Sequence, residues 1–70
     1  MSAIKVGSYL HVEPMGQDWI VFDRHNSMLA TIEWYPQWRR HVMMPQPGTV
    51  WSWDCLLAVS EWMHALESAP

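Results

Sequence analysis

Cysteine, lysine and long apolar runs are all scarce in this 70-residue sequence. Cys55 is the only cysteine, so an internal disulfide is excluded, and no Cys/His pairs have the spacing of a structural zinc site. No apolar run reaches the length of about 18 residues that a membrane span needs, and no charged segment leads into one. We therefore expect a cytoplasmic protein with a reduced Cys55 and no membrane contact.

Positive charge is also scarce, and this bears on the class of partner. The chain has four cations, Lys5, Arg24, Arg39 and Arg40, against seven acidic residues, which gives a net charge of -3 and a sequence pI near 5.7. A domain that binds a phosphate backbone normally carries a basic stripe and a high pI. The charge balance thus argues against general nucleic-acid binding and favours contact with proteins.

Motifs that carry chemistry are missing as well. The four histidines are scattered, and only Glu61 and His64 approach the close spacing of helical metal ligands. Both lie on a predicted solvent face, where an ordinary exposed pair is expected. The chain has no glycine-rich phosphate loop and no marked nucleophile, and Cys55 falls among core positions. We expect no metal, no cofactor, no catalytic residues and no enzyme activity.

Large apolar side chains are what this sequence has in excess. Six Trp, six Met, two Tyr and one Phe stand against a single lysine. A single domain of residues 1–70 is too small to bury all of them, so an exposed apolar patch is predicted. Interface centres are rich in Trp, Tyr, Met and Arg and poor in Lys. The composition therefore indicates a protein partner, a homodimer, or both.

The segment from Thr49 to Glu67 has the longest periodic pattern. At about 100° per residue its apolar side chains fall on one arc, which is typical of a helix lying flat on an apolar surface. Ser52 is the predicted N-cap, and Asp54 in the first turn complements the helix dipole. The apolar arc contains Cys55, Leu56, Ala58, Val59, Trp62, Met63, Ala65 and Leu66.

Two apolar residues depart from this division. Trp53 and Leu57 lie one turn apart on the polar side of the predicted helix, where they form a ridge. The favoured interpretation is that the loop from Pro45 to Trp51 covers this ridge. The alternative is that Trp53 and Leu57 form a contact site for another chain.

Three β-strands are predicted before the helix, separated by turns. Alternation and β-propensity place them at Tyr9 to Glu13, Asp18 to Asp23 and Met28 to Tyr35. The turns fall at Pro14 to Gln17, with Gly16 left-handed, and at Arg24 to Ser27, with Asn26 left-handed. Met1 to Ser8 is predicted as a loose lead-in. The fold class is thus α+β, an antiparallel sheet with one C-terminal helix on one face.

The segment from Pro36 to Gly48 leaves two possibilities open. Residues from Trp38 to Met44 form either a fourth, edge strand or a long loop, and Pro45 and Pro47 end either one. The sheet is therefore predicted to have three or four strands.

The central strand has apolar residues on both faces. If Trp19 and Val21 lie beneath the helix, Ile20 and Phe22 stand on the opposite face, where one helix cannot cover them. The reverse assignment would expose Trp19. We take Ile20 and Phe22 as a second candidate surface for a partner or for a homodimer.

A cluster of aromatic and basic residues supports an alternative function. Trp38, Arg39, Arg40 and His41 are consecutive, and such residues stack on unpaired bases and bind phosphates. The competing interpretation is that Trp34 and Trp38 belong to the core, while Arg39 and Arg40 protect a sheet edge. The cluster predicts, as the alternative, a small nucleic-acid-binding domain.

The order of elements resembles that of several small bacterial and phage domains with three strands and one helix. The matching features are Trp19-Ile20-Val21, the hairpin at Asn26 and the helix from Ser52. Those domains have no assigned function, but small acidic single domains of this kind are common among phage and mobile-element products that block host machinery, including anti-CRISPR proteins, and this separate analogy suggests an inhibitory module. We therefore predict a non-catalytic protein-binding or inhibitory module.

Overall fold

The computed structural model describes residues 3–68 and shows an α+β fold. Its elements are β1 (Ile4–Val6), β2 (Leu10–Met15), β3 (Asp18–Asp23), β4 (Met28–Tyr35), β5 (Arg40–Pro45) and the helix α1 (Trp53–Ser68). Each strand pairs antiparallel with the next, so the sheet is an open meander in the order β1-β2-β3-β4-β5. The predicted fold class is confirmed, and the predicted strand number is corrected from three or four to five.

The strands β1 and β5 lie in the two segments for which the sequence pattern was weakest, before Tyr9 and after Pro36. β1 lies within the predicted loose lead-in, where Val6 pairs with Leu10 and is buried. A strand of three residues is too short to show a periodic pattern, which is why it was missed. Of the two possibilities left open for the segment after Pro36, the structure shows the edge strand, β5, and not a long loop. Met1 and Ser2 lie outside the described residues.

The turns follow the sequence closely, with one correction. Asn26 adopts the predicted left-handed conformation (φ 65°), and the Asp23 carboxylate accepts from the N–H groups of His25 and Ser27 at 2.8 and 2.9 Å. Pro14 was predicted in a turn but lies inside β2, paired with Trp19. Because the described pairing with β1 ends at Val12, a missing N–H at position 14 disrupts no ladder bond there.

The core lies between one face of the sheet and α1. It consists of the buried residues Val6, Leu10, Val12, Val21, Ala30, Ile32 and Val59. Trp19 also faces the helix, and its ring meets that of Trp62 edge to face, with 5.0 Å between centroids. Trp19 and Val21 are therefore the covered pair of β3, and Ile20 and Phe22 stand on the open face.

α1 crosses the sheet from one edge to the other. With 16 residues it is about 24 Å long, and five strands spaced at about 4.8 Å span about 19 Å. Near its start, Ala58 lies so close to the turn after β1 that a Cβ on Gly7 would be 3.0 Å from the Ala58 Cβ. Near its end, Glu67 bonds to His41 on β5. One helix thus reaches both edge strands.

The predicted start of the helix is also confirmed. The Leu56 N–H donates to the Ser52 carbonyl at 3.0 Å, and the Cys55 N–H donates to the Ser52 hydroxyl at 3.4 Å. Ser52 is therefore the N-cap, as its side chain and position indicated.

Candidate functional site

The solvent side of α1 exposes large apolar side chains near its start. Trp53 is 77% exposed and Leu57 is 49% exposed, so the favoured prediction that the preceding loop covers them is wrong. The reason lies in Trp51, which turns inward and packs against the core. Its indole N–H donates to the Thr49 hydroxyl at 3.1 Å, and that hydroxyl donates to the Gln46 carbonyl at 2.7 Å. The loop is bonded to itself and leaves the helix uncovered.

Leu56 enlarges this exposed surface. The periodicity placed Leu56 and Ala65 on the buried arc, but both are exposed, Leu56 by 45%. The buried side of α1 is centred on Val59, and Leu56 lies at its margin. We name Trp53, Leu56 and Leu57 the α1 ridge. Its members are three and four residues apart, so they are neighbours on the helix surface.

Negative charge borders the α1 ridge. Asp54 follows Trp53, Glu61 lies one turn after Leu57, and the segment Trp53–Ser68 contains no lysine or arginine. A hydrogen bond from the Ser52 hydroxyl lowers the pKa of the Asp54 carboxyl, against a smaller opposing effect of desolvation. Asp54 is therefore ionised at neutral pH. The surface combines an apolar centre with an acidic border.

The open face of the sheet carries the second predicted surface. Ile20 and Phe22 lie there as predicted, but both are half-buried by their neighbours. The Phe22 ring stacks on that of His11 with centroids 5.2 Å apart, and the His11 Nε2 lies 3.3 Å from a Glu13 carboxylate oxygen. These contacts leave less apolar surface available than on the α1 ridge. The predicted partner or dimer role of Ile20 and Phe22 stays a prediction.

The turn between β4 and β5 presents the aromatic and basic cluster. Trp38 is 64% exposed, with its ring edge to face against Tyr35 at 4.9 Å, and Arg39 and Arg40 are exposed. Trp34 is also exposed, so the prediction that Trp34 and Trp38 are core is wrong. The pairing of β3 with β4 stops at Trp19 and Ile32, so β4 continues beyond β3 at position 34. Trp34 therefore has a strand neighbour only on the β5 side, where it pairs with His41.

Unlike the other members of that cluster, His41 makes contacts within the fold. Its ring packs edge to face against Trp34, and its Nδ1 lies 3.0 Å from a Glu67 carboxylate oxygen. The backbone N–H of His41 donates to the same carboxylate. That backbone bond, the ring contact and the charge of Arg40 together hold the pKa of Glu67 below its usual value. Sequence reasoning missed this contact because 26 residues separate the two partners and no pattern links them.

The described structure offers little space for a small molecule. A cavity of about 20 Å³ lies between the turn after β1 and α1, beside Cys55 and Ala58, which is room for about one water molecule. Cys55 is a half-buried free thiol that packs against the core. Within residues 3–68 no three His, Cys, Asp or Glu side chains are grouped so that they could hold a metal ion.

The helix found in residues 3–68 is too short and too polar to cross a membrane. No protein-family model, curated protein or solved structure matches this chain.

Proposed function

We propose that this chain is a non-catalytic protein-binding module that contacts its partner through the α1 ridge. The observation that carries the proposal is Trp53, the most exposed tryptophan of the described residues, with Leu57 one turn away and also exposed. Tryptophan is among the residues most enriched at the energetic centres of interfaces. The chain's own loop packs elsewhere, so the ridge is available to another molecule.

The spacing of the ridge suits one known mode of recognition. Apolar side chains at positions 53, 56 and 57 project from one side of a helix, as in amphipathic helices that dock into a groove. Transferring such a side chain from full exposure to full burial is worth about 1.5–3 kcal/mol. The ridge is small, so the partner has to supply further contacts at its border.

The charges around the ridge define the chemistry of that border. Asp54 and Glu61 flank the apolar residues, and no cation of α1 neutralises them. A partner with an apolar groove bordered by lysine or arginine would pair with these carboxylates. A second copy docked ridge to ridge would instead bring acidic residues together, which is unfavourable. The proposed partner is therefore a different protein.

The narrower prediction, an inhibitor of host defence of the anti-CRISPR kind from a phage or mobile element, is part of this proposal. It is supported by the small size, the net charge of -3 and the protein-contact surface. An inhibitor that acts by occupying a partner's surface needs no active site. The partner would then be a defence protein with an apolar groove, bordered by basic residues, that the α1 ridge fills.

Affinity capture with matched variants tests the proposal. Immobilised wild-type protein, Leu57→Asp and Met15→Asp are compared for the proteins they retain from a host lysate, with quantification by mass spectrometry. Leu57 and Met15 are both 49% exposed, so each change places a carboxylate at an equally accessible position, and circular dichroism checks that both variants are folded. We expect Leu57→Asp to lose the specific partner and Met15→Asp to keep it. Equal retention by both variants would contradict the α1 ridge as the contact surface.

The charge of the border has its own test. Glu61→Lys reverses one carboxylate of the border, while Glu13→Lys makes the same change on the open sheet face. Binding of the captured partner to Glu61→Lys is expected to fall, and the loss should shrink as salt is raised. A partner that binds Glu61→Lys and Glu13→Lys equally well would show that the border charges play no part.

The turn between β4 and β5 supports a second candidate function, nucleic-acid binding. Arg39 holds a left-handed conformation (φ 54°), which glycine or asparagine adopts at lower cost. Arginine is thus present despite a local strain, beside the exposed Trp38. Labelled single- and double-stranded oligonucleotides at low salt, with the double variant Arg39→Ala and Arg40→Ala as control, test this function. Absence of binding by the wild type at low ionic strength would exclude it.

A further inference from the structure

The outer part of the β4–β5 hairpin projects beyond the rest of the sheet. β3 pairs with β4 no further than Ile32, while β4 and β5 stay paired as far as Tyr35 and Arg40. Residues 33–42 therefore form a two-stranded ribbon, to which no third strand of the described residues is paired. A ribbon of this kind can present side chains on both of its sides to other molecules.

The two sides of this ribbon carry different groups. Cross-strand partners project from the same side, so Tyr35 and Arg40 lie on the side of the open sheet face, whereas Trp34 and His41 lie on the side of α1. On the α1 side, the Glu67 carboxylate is bonded to the His41 ring at 3.0 Å. On the open-face side Arg40 is exposed, and within residues 3–68 it forms no ion pair. The two sides are thus available to different kinds of partner.

The turn at the end of the ribbon brings Trp38 beside Tyr35 and Arg40. The Trp38 and Tyr35 rings meet edge to face with 4.9 Å between centroids, and Trp38 is still 64% exposed. The N–H groups of Trp38 and Arg39 donate to the Tyr35 carbonyl at 3.1 and 2.9 Å, which fixes the turn. The Arg40 Nε donates to the Trp38 carbonyl at 3.3 Å, and its other N–H groups stay available for an anion. A flat aromatic ring and a guanidinium are therefore held next to each other.

The distribution of charge favours an anion at this turn and limits its length. No acidic residue occurs between Glu33 and Asp54, and Glu33 accepts from the Thr31 hydroxyl at 3.1 Å at the inner end of the ribbon. The chain carries a net charge of -3, to which Arg39 and Arg40 contribute +2, so the other residues carry -5. A duplex has one phosphate charge per about 1.7 Å of its axis and would bring many phosphates close to those acidic residues. A short unpaired stretch brings only a few.

We propose that Tyr35, Trp38, Arg39 and Arg40 bind a short unpaired stretch of nucleic acid, with a base stacked on Trp38 and about two phosphates held by the arginines. The inference rests on the second candidate function above and narrows it to single strands bound on one side of the ribbon. Stacking needs an exposed flat ring and a base that is free of its own stack, which a duplex does not offer. An acidic peptide would pair with the arginines but has no base for the indole, so the exposed Trp38 favours nucleic acid.

Two matched tryptophan variants test the stacking contact. Trp38→Ala and Trp34→Ala make the same change at exposed positions on opposite sides of the ribbon. Their affinity for a fluorescein-labelled oligothymidylate of roughly ten nucleotides is measured by fluorescence anisotropy at low salt, and circular dichroism checks that both are folded. We expect Trp38→Ala to bind at least about fivefold more weakly than the wild type, and Trp34→Ala to bind equally well. Equal affinities of the two variants would overturn the stacking contact.

Two matched arginine variants test the phosphate contacts. Arg40→Gln and Arg24→Gln change the net charge equally, but Arg24 lies in the turn between β3 and β4. Because each phosphate contact with a single strand contributes a slope of about -0.7 to the dependence of log affinity on log salt, the wild type should show a slope of about -1.4. Arg40→Gln should halve that slope, and Arg24→Gln should keep it. A slope that Arg40→Gln leaves unchanged would overturn the phosphate contact.

Competition identifies the class of ligand. The unlabelled strand, the same strand paired with oligoadenylate, and an oligoglutamate peptide of equal length compete for the wild-type protein against the labelled strand. We expect only the unpaired strand to compete strongly. Equal competition by the duplex would overturn the restriction to single strands but leave nucleic-acid binding intact, and equal competition by the peptide would make an acidic protein segment the ligand. No binding of the labelled strand at low salt would overturn both this inference and the second candidate function.

Discussion

The two faces of the sheet are built from the same strands but differ in how far their side chains are buried. On the face beneath α1, Val12, Val21 and Ile32 have no exposed surface, whereas Ile20 and Phe22 on the open face are only half-buried. One helix is enough to close one face of five strands and cannot reach the other. Stability is therefore concentrated on the covered face, and the uncovered surfaces are free to make contacts. The following predictions test this division.

The largest effect is expected at the centre of the covered face. Ile32→Ala removes a fully buried side chain and should lower the free energy of unfolding by about 2–5 kcal/mol. Ile20→Ala, on the open face of the adjacent strand β3, makes the same chemical change and should cost about 1 kcal/mol or less. Urea unfolding of both variants measures the difference. Equal losses would show that the open face is covered in solution.

A smaller loss of stability is expected from alanine substitutions at two glycines, of which one packs against the helix and the other lies in an open turn. Gly7 and Gly16 have nearly the same φ, 63° and 61°, but only a Cβ at position 7 meets a neighbour, the Ala58 Cβ. Gly16→Ala should cost about 1 kcal/mol for its left-handed backbone. Gly7→Ala should cost about 2–3 kcal/mol because the helix has to shift as well. If the two unfolding midpoints coincide, α1 does not pack tightly on this turn.

The contact of Glu67 with His41 predicts a dependence on pH. Because the pKa of folded Glu67 is below its ordinary value, the contact stabilises the fold above that ordinary pKa, about 4.3. Its contribution is lost as the pH falls through the lower folded pKa. Glu67→Gln should therefore be less stable than the wild type at pH 7, with a gap that closes towards pH 3. Thermal unfolding across that range measures the gap, and a constant gap would contradict this assignment.

The smallest effect on stability is expected at the α1 ridge. Trp53→Ala removes a side chain that packs on little else and should change the free energy of unfolding by about 0.5 kcal/mol or less. Trp62→Ala, which removes the contact with Trp19, should cost several times more. Comparison of the two variants by urea unfolding tests whether Trp53 is dispensable for the fold. A large loss at Trp53 would mean that it is a packing residue.

Local patterns predicted much of this fold. β3 and β4 have the bounds that their composition indicated, and Asn26 and Ser52 have the conformational roles that their side chains favour. These features depend on neighbours in sequence, so the information is local. The choice between Trp19 and Ile20 for the covered face needed the position of α1, which periodicity alone does not provide.

The missed features depend on distant partners. β1 is recognisable only through its pairing with β2, and the exposure of Leu56 depends on how far α1 is rotated about Val59. Trp51 and Trp53 have the same composition around them, yet one packs on the core and the other faces solvent. The bond between Glu67 and His41 joins a helix end to a strand edge. None of these follows from spacing in the sequence.

The position of α1 after all five strands has a consequence for synthesis of the protein. The hairpins are local and can pair as they emerge from the ribosome, but Val59 and Trp62 are translated only after the last strand. Until then the nascent sheet exposes Val12, Val21 and Ile32 to solvent, a surface of the kind that chaperones recognise. The helix can cover the sheet only after it has been synthesised, so burial of the core is a late step in folding.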